Sequence, residues 1–409
     1  MSANEDFFRE RRAQAVFKHG ILSRYPVIFA SKTGWGGRPV VFLDGYAGRG
    51  EYEDGFPGSP VLLAETATKV ASFRGVTGIY VEKDRADFLN LQRVMAKYNR
   101  SNDQILCGDL RDHLAKILND IPGAALFAFL DPFGTALDRE QIAGPLLGRH
   151  GTAPVEVLLH MSIGTVARLG GLLRRRRQQG VELSVADEKS IDHVDRFLGG
   201  TWWWQHFEPV DAADQPLATS AALQVASDYQ TSICSETGCR SVSMPIRRQP
   251  NQLPKYVLVL FTFHGDGLWY FADSVGQAGR DWQGAWRMDA SNKQLAKAQA
   301  KYLEPGLFNL EEVLRPEPFD PIEYERQHRD QWQQIIQGNI VRLLESDGPF
   351  VLGGRVDQVY GTLLGAASER HVRAAVKALH DDRIVENTGV GKYFFREQIR
   401  PSRSTHRSD

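Results

Sequence analysis

The most constraining stretch of the sequence is residues 40–50, VVFLDGYAGRG. Four apolar residues lead directly into Asp44, and three glycines follow within the next six positions. A continuous apolar run bounded by a turn is typical of a strand buried in a parallel sheet. A helix is expected from Ser59-Pro60, with Ser59 as the N-cap and Pro60 at the first helical position. Strand, glycine turn and helix in this order predict the first unit of a doubly wound α/β fold.

Three later apolar runs are also followed by an acid. Residues 78–82 end at Glu82, residues 105–107 precede Asp109, and residues 125–130 precede Asp131. Open α/β sheets bind ligands at the carboxyl ends of their parallel strands, so we expect these acids and the glycine turn to share one crevice. Glu82 is interpreted as the acceptor for ribose hydroxyls. Asp109 is interpreted as an acceptor for an adenine amino group, as the N-cap of a helix over 110–119, or as both.

The segment Asp131-Pro132-Phe133-Gly134 follows the most apolar of these runs. Proline ends the strand and fixes the turn, which leaves Asp131 at the carboxyl edge of the sheet. Phe133 is then available to stack on a planar substrate. The alternative is an ordinary Asp-Pro turn.

A fifth strand is predicted over 155–161, and two strands over 241–246 and 256–263 are expected to pair antiparallel. Between them lie a basic run, 172–179, and an aromatic run, 201–205. Basic residues with exposed aromatics suit a nucleic-acid surface. The alternative is a solvated helix face and a packed aromatic cluster.

Four prolines between 303 and 322 predict a linker. Beyond it, the periodicity predicts helices over 323–345, 356–364 and 368–380, followed by a β-hairpin over 384–395. Three helices and a hairpin describe a winged helix. Arg370, Arg373 and Lys377 form either a stripe for DNA or a solvated face, since acids and bases nearly balance over 330–409.

Composition limits the other classes of function. The net charge is −1, so no global field draws the chain to nucleic acid or a membrane. Cys107, Cys234 and Cys239 form neither a disulfide framework nor a metal site, and we expect free thiols in a reducing compartment. The polar N-terminus has no signal-peptide pattern and no apolar run reaches membrane-spanning length, which favours a cytoplasmic protein without membrane contact.

The glycine turn at 44–50 and the motif at 131–134 resemble the cofactor and acceptor motifs of class I S-adenosylmethionine-dependent methyltransferases. Residues 18–290 more closely resemble the bacterial three-Cys-motif partner protein family. The shared features are residues 51–55 (EYEDG), 58–60 (GSP), 82–84 (EKD), 108–109 (GD) and 131–134 (DPFG), together with the pattern at 263–268 (FHGDGL). That family's name implies a partner encoded nearby that bears a three-cysteine motif.

The resemblance implies S-adenosylmethionine as the cofactor and a role for each matching residue. Gly48 and Gly50 would approach the methionine part of the cofactor, and Asp44 would face its amino group or a bridging water. Glu82 would hold the ribose hydroxyls and Asp109 the adenine amine. Asp131, with the Pro132 carbonyl and Phe133, would hold the acceptor, and no metal is implied. Enzymes that methylate adenine amino groups carry two prolines and an aromatic after the acid, and this chain has Phe133 and Gly134 at the last two of those positions. The remaining expected cofactor residues are Gly45, Tyr46 and Lys83.

The sequence therefore predicts a Rossmann-like methyltransferase domain over 1–300, a linker over 301–325, a winged-helix domain over 326–400 and a disordered tail over 401–409. The predicted activity is methyl transfer to a nucleic-acid or nucleic-acid-linked acceptor. The alternative is a cofactor sensor whose winged helix recruits DNA or a protein. An NAD oxidoreductase is disfavoured, because Asp44 and Glu82 lie 38 positions apart against roughly 20 in the dinucleotide fingerprint.

Overall fold

The computed structural model describes residues 13–53, 55–132, 137–209, 214–301 and 319–402. The chain forms two compact units. Of the described residues, 22–267 belong to the first unit, and 13–21, 268–301 and 319–402 belong to the second. The division at 267/268 differs from the predicted boundary at 300, because one helix runs from Gly265 to Lys301.

Several predictions lie outside the described residues. They concern Phe133 and Gly134 of the acceptor motif, Asp54 of the segment 51–55, and three of the four linker prolines. Residues 403–409 of the predicted tail also lie outside.

The first unit is organised around a seven-stranded sheet in the order β3-β2-β1-β4-β5-β7-β6. The five strands β1 to β5 pair in parallel, whereas β7 is antiparallel to both β5 and β6. This confirms the predicted doubly wound sheet and its antiparallel pair. The strands are β1 (Val40–Asp44), β2 (Val76–Glu82), β3 (Gln104–Cys107), β4 (Ala125–Leu130), β5 (Val155–Met161), β6 (Arg240–Ile246) and β7 (Tyr256–Thr262).

Every residue of β1, β4 and β7 is buried, as expected for strands covered by helices on both faces. Because β1 lies between β2 and β4, the chain winds outward in both directions from the β1–β4 pair. Ligands of doubly wound sheets bind at this reversal point, beyond the carboxyl ends of the strands.

The helices follow the sequence signals closely. The spacing of apolar residues over 5–30 predicts one amphipathic helix. In the described part of this stretch the structure has two helices, α1 and α2, with Pro26 in the first turn of α2. The helix expected at Ser59-Pro60 is present, but its N-cap is Gly58 rather than Ser59. Up to residue 301, the described helices of eight or more residues are α1 (Ala13–Leu22), α2 (Tyr25–Thr33), α3 (Ser59–Val70), α4 (Arg85–Ala96), α5 (Leu110–Asp120), α6 (Ile163–Gln179), α7 (Val185–Leu198), α8 (Gln215–Thr237) and α9 (Gly265–Lys301). Residues 13–21 of α1 and 268–301 of α9 belong to the second unit. None of the described helices is long and apolar enough to cross a membrane.

The second unit contains the three helices predicted near the C-terminus: α10 (Pro321–Asp347), α11 (Val356–Tyr360) and α12 (Glu369–Asp381). The two-stranded pair β8 (Phe350–Val351) and β9 (Gln398–Ile399) is antiparallel. The predicted hairpin over 384–395 is wrong in its second strand. Residues 384–386 pair with 400–402 instead, through the Glu386 amide donating to the Arg400 carbonyl (3.0 Å) and the Ser402 amide donating to the Ile384 carbonyl (2.9 Å).

The reason for this difference is aromatic burial. Phe394 and Phe395 form a 3₁₀ turn instead of a strand, and both side chains are almost fully buried. The Phe395 ring stacks on the Trp269 indole at 4.9 Å between centroids, and Phe394 meets the same indole edge-on at 5.5 Å. Burial of two aromatic rings outweighs the short strand signal.

Candidate functional site

A cleft of about 600 Å³ lies where β1, β2, β3 and β4 end. Five of the predicted cofactor residues and one predicted acceptor residue line it. The lining residues are Gly45, Tyr46, Glu82, Lys83, Asp84, Arg85, Gly108, Asp109, Leu110, Arg111, Pro132 and His193.

The floor of the cleft is the turn that follows β1. Asp44 is fully buried, and one of its carboxylate oxygens accepts the Tyr46 amide at 3.2 Å. Gly45 is packed so closely that a Cβ atom would lie 2.5 Å from a methyl group of Leu110. Gly48 has φ of +63°, a conformation that L side chains rarely adopt. The turn therefore requires glycine at both positions.

Glu82 holds this turn in place from the end of β2. One carboxylate oxygen accepts the Gly48 amide at 2.7 Å, and the other accepts the Asp84 amide at 2.7 Å. Burial raises the pKa of Glu82, although both amide hydrogen bonds oppose this rise. Each carboxylate oxygen has two lone pairs, so both oxygens can accept a further donor from a ligand in the cleft.

Asp109 performs the N-cap role that the sequence left open. One oxygen accepts the Arg111 amide at 3.1 Å in the first turn of α5, and the other accepts the exposed Lys83 ammonium at 2.9 Å. Burial raises the pKa of Asp109, but the Lys83 and Arg111 contacts outweigh it, and the net pKa is lowered. A carboxylate that stays ionised at the cleft wall suits a hydrogen-bond donor on a ligand.

Gly50, like Asp44, Gly48 and Asp131, is not among the residues that line the cleft. The Gly50 carbonyl accepts the Gly58 amide at 2.7 Å, which brings together the two ends of the insert, residues 51–57 between the glycine turn and α3. Within the insert, Tyr52 is buried and Glu51 pairs with Lys97, the residue after α4, at 3.0 Å. These two residues anchor the insert to the first unit.

Asp131 lies close to His160, a residue that the sequence did not mark as functional. Asp131 follows β4, and the parallel register of β4 with β5 aligns it with His160. One carboxylate oxygen of Asp131 lies 3.5 Å from Nδ1 of His160, and the two side chains are only 17% and 14% exposed. The His160 ring lies 4.3 Å from the Tyr256 ring, which restricts its orientation. Pro132 is buried beside this pair.

Arg111 and His193 also line the cleft and were not predicted. Arg111 stands two positions after Asp109, at the positive end of α5, and pairs with Asp138 at 3.3 Å. Burial lowers the pKa of His193 and the nearby Arg196 lowers it further, so the imidazole is neutral at pH 7. The signal for Arg111 was available in the spacing from Asp109. The signal for His193 was not, because α7 is remote from the glycine turn in sequence.

No cluster of metal-ligating side chains occurs among the described residues. The three cysteines are free thiols, as predicted, although the Sγ atoms of Cys234 and Cys239 lie 3.5 Å apart. The hydrogen bond from Cys239 lowers the pKa of Cys234 to about 7.

No protein-family model matches the chain, and no curated protein matches it. Among solved structures, the chain is similar to the O-methyltransferase TomG from Streptomyces achromogenes in complex with SAM, at 10% identity, a TM-score of 0.32, and coverage of 60% of this chain and 80% of that chain. It is also similar to cofactor-bound Rv0187 from MTB, at 14% identity, a TM-score of 0.31, and coverage of 64% and 86%. A third similar structure is the cyclopropane synthase MmaA2 from Mycobacterium tuberculosis, at 12% identity, a TM-score of 0.25, and coverage of 57% and 81%. At these identities and TM-scores, function has to be argued from the cleft itself.

Proposed function

We propose that the chain is an S-adenosylmethionine-dependent methyltransferase. The observation that carries this proposal is the meeting of a glycine turn with two acids from successive strand ends, Glu82 and Asp109, in one cleft. A nucleoside with an amino-acid chain needs acceptors for its ribose hydroxyls and adenine amine, and backbone space for its methionine part. The cleft offers all three.

The residues present fit this cofactor. Glu82 would accept the ribose hydroxyls, Asp109 the adenine amine, and the turn at Gly48 would lie against the methionine part. When bound, the cofactor supplies an electrophilic methyl group on a sulfonium. The chain's own work is then to position an acceptor beside the cleft, which is the largest contribution a protein makes to such a transfer.

Asp131 and His160 are proposed to handle the acceptor. The Asp131 carboxylate lies 3.5 Å from the His160 imidazole, and this imidazole would take the proton that the acceptor nucleophile loses as it gains the methyl group. Asp131 then stabilises the imidazolium. This pair extends the sequence interpretation, in which Asp131 and the Pro132 carbonyl only oriented a neutral nitrogen.

The finer predictions also remain proposals. A nucleic-acid-linked acceptor is supported by the basic and aromatic runs treated below. A winged helix is supported by the order of helix, strand, two helices and paired strands in 321–402. Membership of the three-Cys-motif partner family, a partner encoded nearby and a cytoplasmic location rest on the sequence alone.

Calorimetric titration with S-adenosylmethionine tests the cofactor proposal. The wild-type chain is expected to bind, and Gly48→Val is expected to abolish binding, because valine at φ of +63° distorts the turn. Far-UV circular dichroism and thermal melting of Gly48→Val separate loss of the site from loss of the fold. No binding by the wild-type chain would refute the proposal.

A tritium-transfer assay against total DNA, RNA and protein tests the activity. Transfer to one of these pools supports the enzyme. Binding without transfer to any pool would favour the sensor. In that assay, Asp131→Ala is expected to remove transfer while leaving cofactor affinity nearly intact.

A further inference from the structure

The first unit contains a second cavity, of about 870 Å³, that the cofactor cleft does not use. It lies between the last turns of α6 and the 3₁₀ turn Trp202–Phe207, so it joins the basic run and the aromatic run of the sequence. Its volume falls within the roughly 300–1,000 Å³ typical of small-ligand sites. We call it the arginine groove; it is lined by Leu173, Arg174, Arg176, Arg177, Gln178, Trp204, Phe207 and Glu208.

The base of the groove is rigid. Phe207 is almost fully buried and packs on α6 at Gly170, where a Cβ atom would lie 2.4 Å from the phenyl ring. Trp203 is also buried, and its indole nitrogen donates to Asp195 at 2.7 Å. The aromatic run is therefore partly the packed cluster that the sequence offered as an alternative.

Trp204 differs from its neighbours in the same run. Its side chain is 38% exposed, yet its indole nitrogen donates to the same Asp195 oxygen at 3.0 Å. Because this hydrogen bond already holds the indole, little rotamer freedom remains to be lost when a ligand binds in the groove. Such an indole suits stacking of a planar ring.

The rim of the groove is positively charged. Three arginines and one acid are among the lining residues, and Arg175 adds a fourth arginine, which is exposed, on the same helix. The side chains of Arg176 and Arg177 are 56% and 75% exposed. Arg177 pairs with Glu208, and Arg176 lies 3.7 Å from Glu188 on α7. Glu208 thus occupies the position at Arg177 that an external anion would take.

We propose that the arginine groove binds single-stranded nucleic acid, with a base stacked on Trp204 and phosphates on Arg176 and Arg177. Single-stranded nucleic acid alternates planar bases with anionic phosphates. The groove places an exposed indole beside exposed guanidinium groups, which can bind these two kinds of group. Phosphate displaces Glu208 from Arg177 on binding. As the surface that delivers a methyl acceptor, the groove rests on the proposed function; as a binding site, it stands on its own geometry.

Fluorescence anisotropy with labelled oligodeoxythymidylate and oligouridylate tests the proposal. Trp204→Ala is expected to weaken binding about tenfold, and Arg176→Gln with Arg177→Gln is expected to weaken it by a similar factor. The double arginine variant is also expected to reduce the slope of log affinity against log salt by about 1.4, measured between about 50 and 200 mM salt. Arg93→Gln, an exposed arginine on α4, is the matched control and is expected to bind like the wild type.

Glu208→Gln gives the sharpest readout, because a gain of binding does not arise from damage to the fold. It removes the competing carboxylate and frees Arg177, so affinity is expected to rise about threefold to tenfold. Failure of the wild type to bind either oligonucleotide, or equal affinity in all variants, would overturn the proposal. Full competition by oligoglutamate with no effect of Trp204→Ala would also overturn it, in favour of an acidic protein partner.

Calorimetry with S-adenosylmethionine on the same variants keeps the two proposals apart. The groove variants are expected to retain wild-type cofactor affinity. Oligonucleotide binding without cofactor binding would refute the methyltransferase and leave the groove standing. Cofactor binding without oligonucleotide binding would refute the groove proposal and leave the methyltransferase proposal standing.

Discussion

Glu82 in the first unit and Glu325 in the second are both acids whose two carboxylate oxygens each accept hydrogen bonds, yet their surroundings differ. Glu82 accepts the backbone amides of Gly48 and Asp84 and lines a cleft. Glu325 is 3% exposed and accepts from the side chains of Arg280, Arg370 and His371. Side-chain cations neutralise the second acid completely, whereas backbone amides orient the first and leave it open to a ligand. The comparison separates an acid that holds the fold from one that serves a site.

The largest expected effect is on the stability of the second unit. Glu325→Ala leaves two arginines and a histidine without their buried acceptor, so we expect unfolding to be easier by about 3–5 kcal/mol. Denaturant unfolding followed by tryptophan fluorescence measures this. Glu323→Ala is the matched control, since that exposed acid pairs with Arg326 on its own helix and its loss is expected to leave the free energy of unfolding almost unchanged. Equal losses in the two variants would contradict the structural role of Glu325.

The next effect is on cofactor affinity. Glu82→Gln keeps the shape of the side chain but removes the charge that would accept ribose hydroxyls, so we expect affinity for S-adenosylmethionine to fall about 10- to 100-fold. Calorimetry measures the change. Glu53→Gln in the exposed insert is the control and should leave affinity unchanged. If Glu82→Gln binds as the wild type does, Glu82 serves only the turn and the contrast with Glu325 fails.

A third acid, Glu156 on β5, predicts a pH dependence. It is buried and accepts the hydroxyls of Tyr25 and Thr262, each at 2.7 Å, and burial raises its pKa to about 7 despite these hydrogen bonds. The folded chain therefore keeps a proton that the unfolded chain loses near pH 4.5. Stability from Glu156 is present in full below that pH and falls by up to about 3 kcal/mol as pH rises through 7.

The difference in stability between the wild type and Glu156→Gln isolates this contribution. This comparison cancels the opposite pH dependence that is expected from His371. Burial and the adjacent Arg370 lower the pKa of His371 to about 4. Unfolding midpoints measured at pH 5 and pH 8 should show that Glu156→Gln becomes more stable relative to the wild type at the higher pH. A difference that does not change with pH would mean that Glu156 stays ionised.

The smallest expected effect concerns Lys83. Its ammonium pairs with Asp109 but its side chain is 76% exposed, so the pair contributes less than about 1 kcal/mol. Lys83→Ala is expected to change cofactor affinity less than about threefold in the same titration. A larger loss would assign Lys83 a direct contact with the cofactor.

The sequence was sufficient to predict the strands and the sheet edge that form the cleft. Apolar runs that end in acids predicted β1 to β4 and the edge at which Glu82 and Asp109 meet, because parallel strands carry their carboxyl ends to one side. The sequence did not identify His160, because its position beside Asp131 depends on the register between β4 and β5. A single sequence does not reveal the register of two strands. The second hairpin strand was misassigned because burial of Phe394 and Phe395 against Trp269 depends on contacts remote in sequence.

The most direct test of the central claim is a crystal structure of the chain with S-adenosylhomocysteine. We predict that the ligand occupies the cleft beyond β1, with its ribose hydroxyls on the Glu82 carboxylate and its adenine amine within hydrogen-bond distance of Asp109. A ligand bound elsewhere, or one in the cleft with both carboxylates directed away from it, would contradict the account.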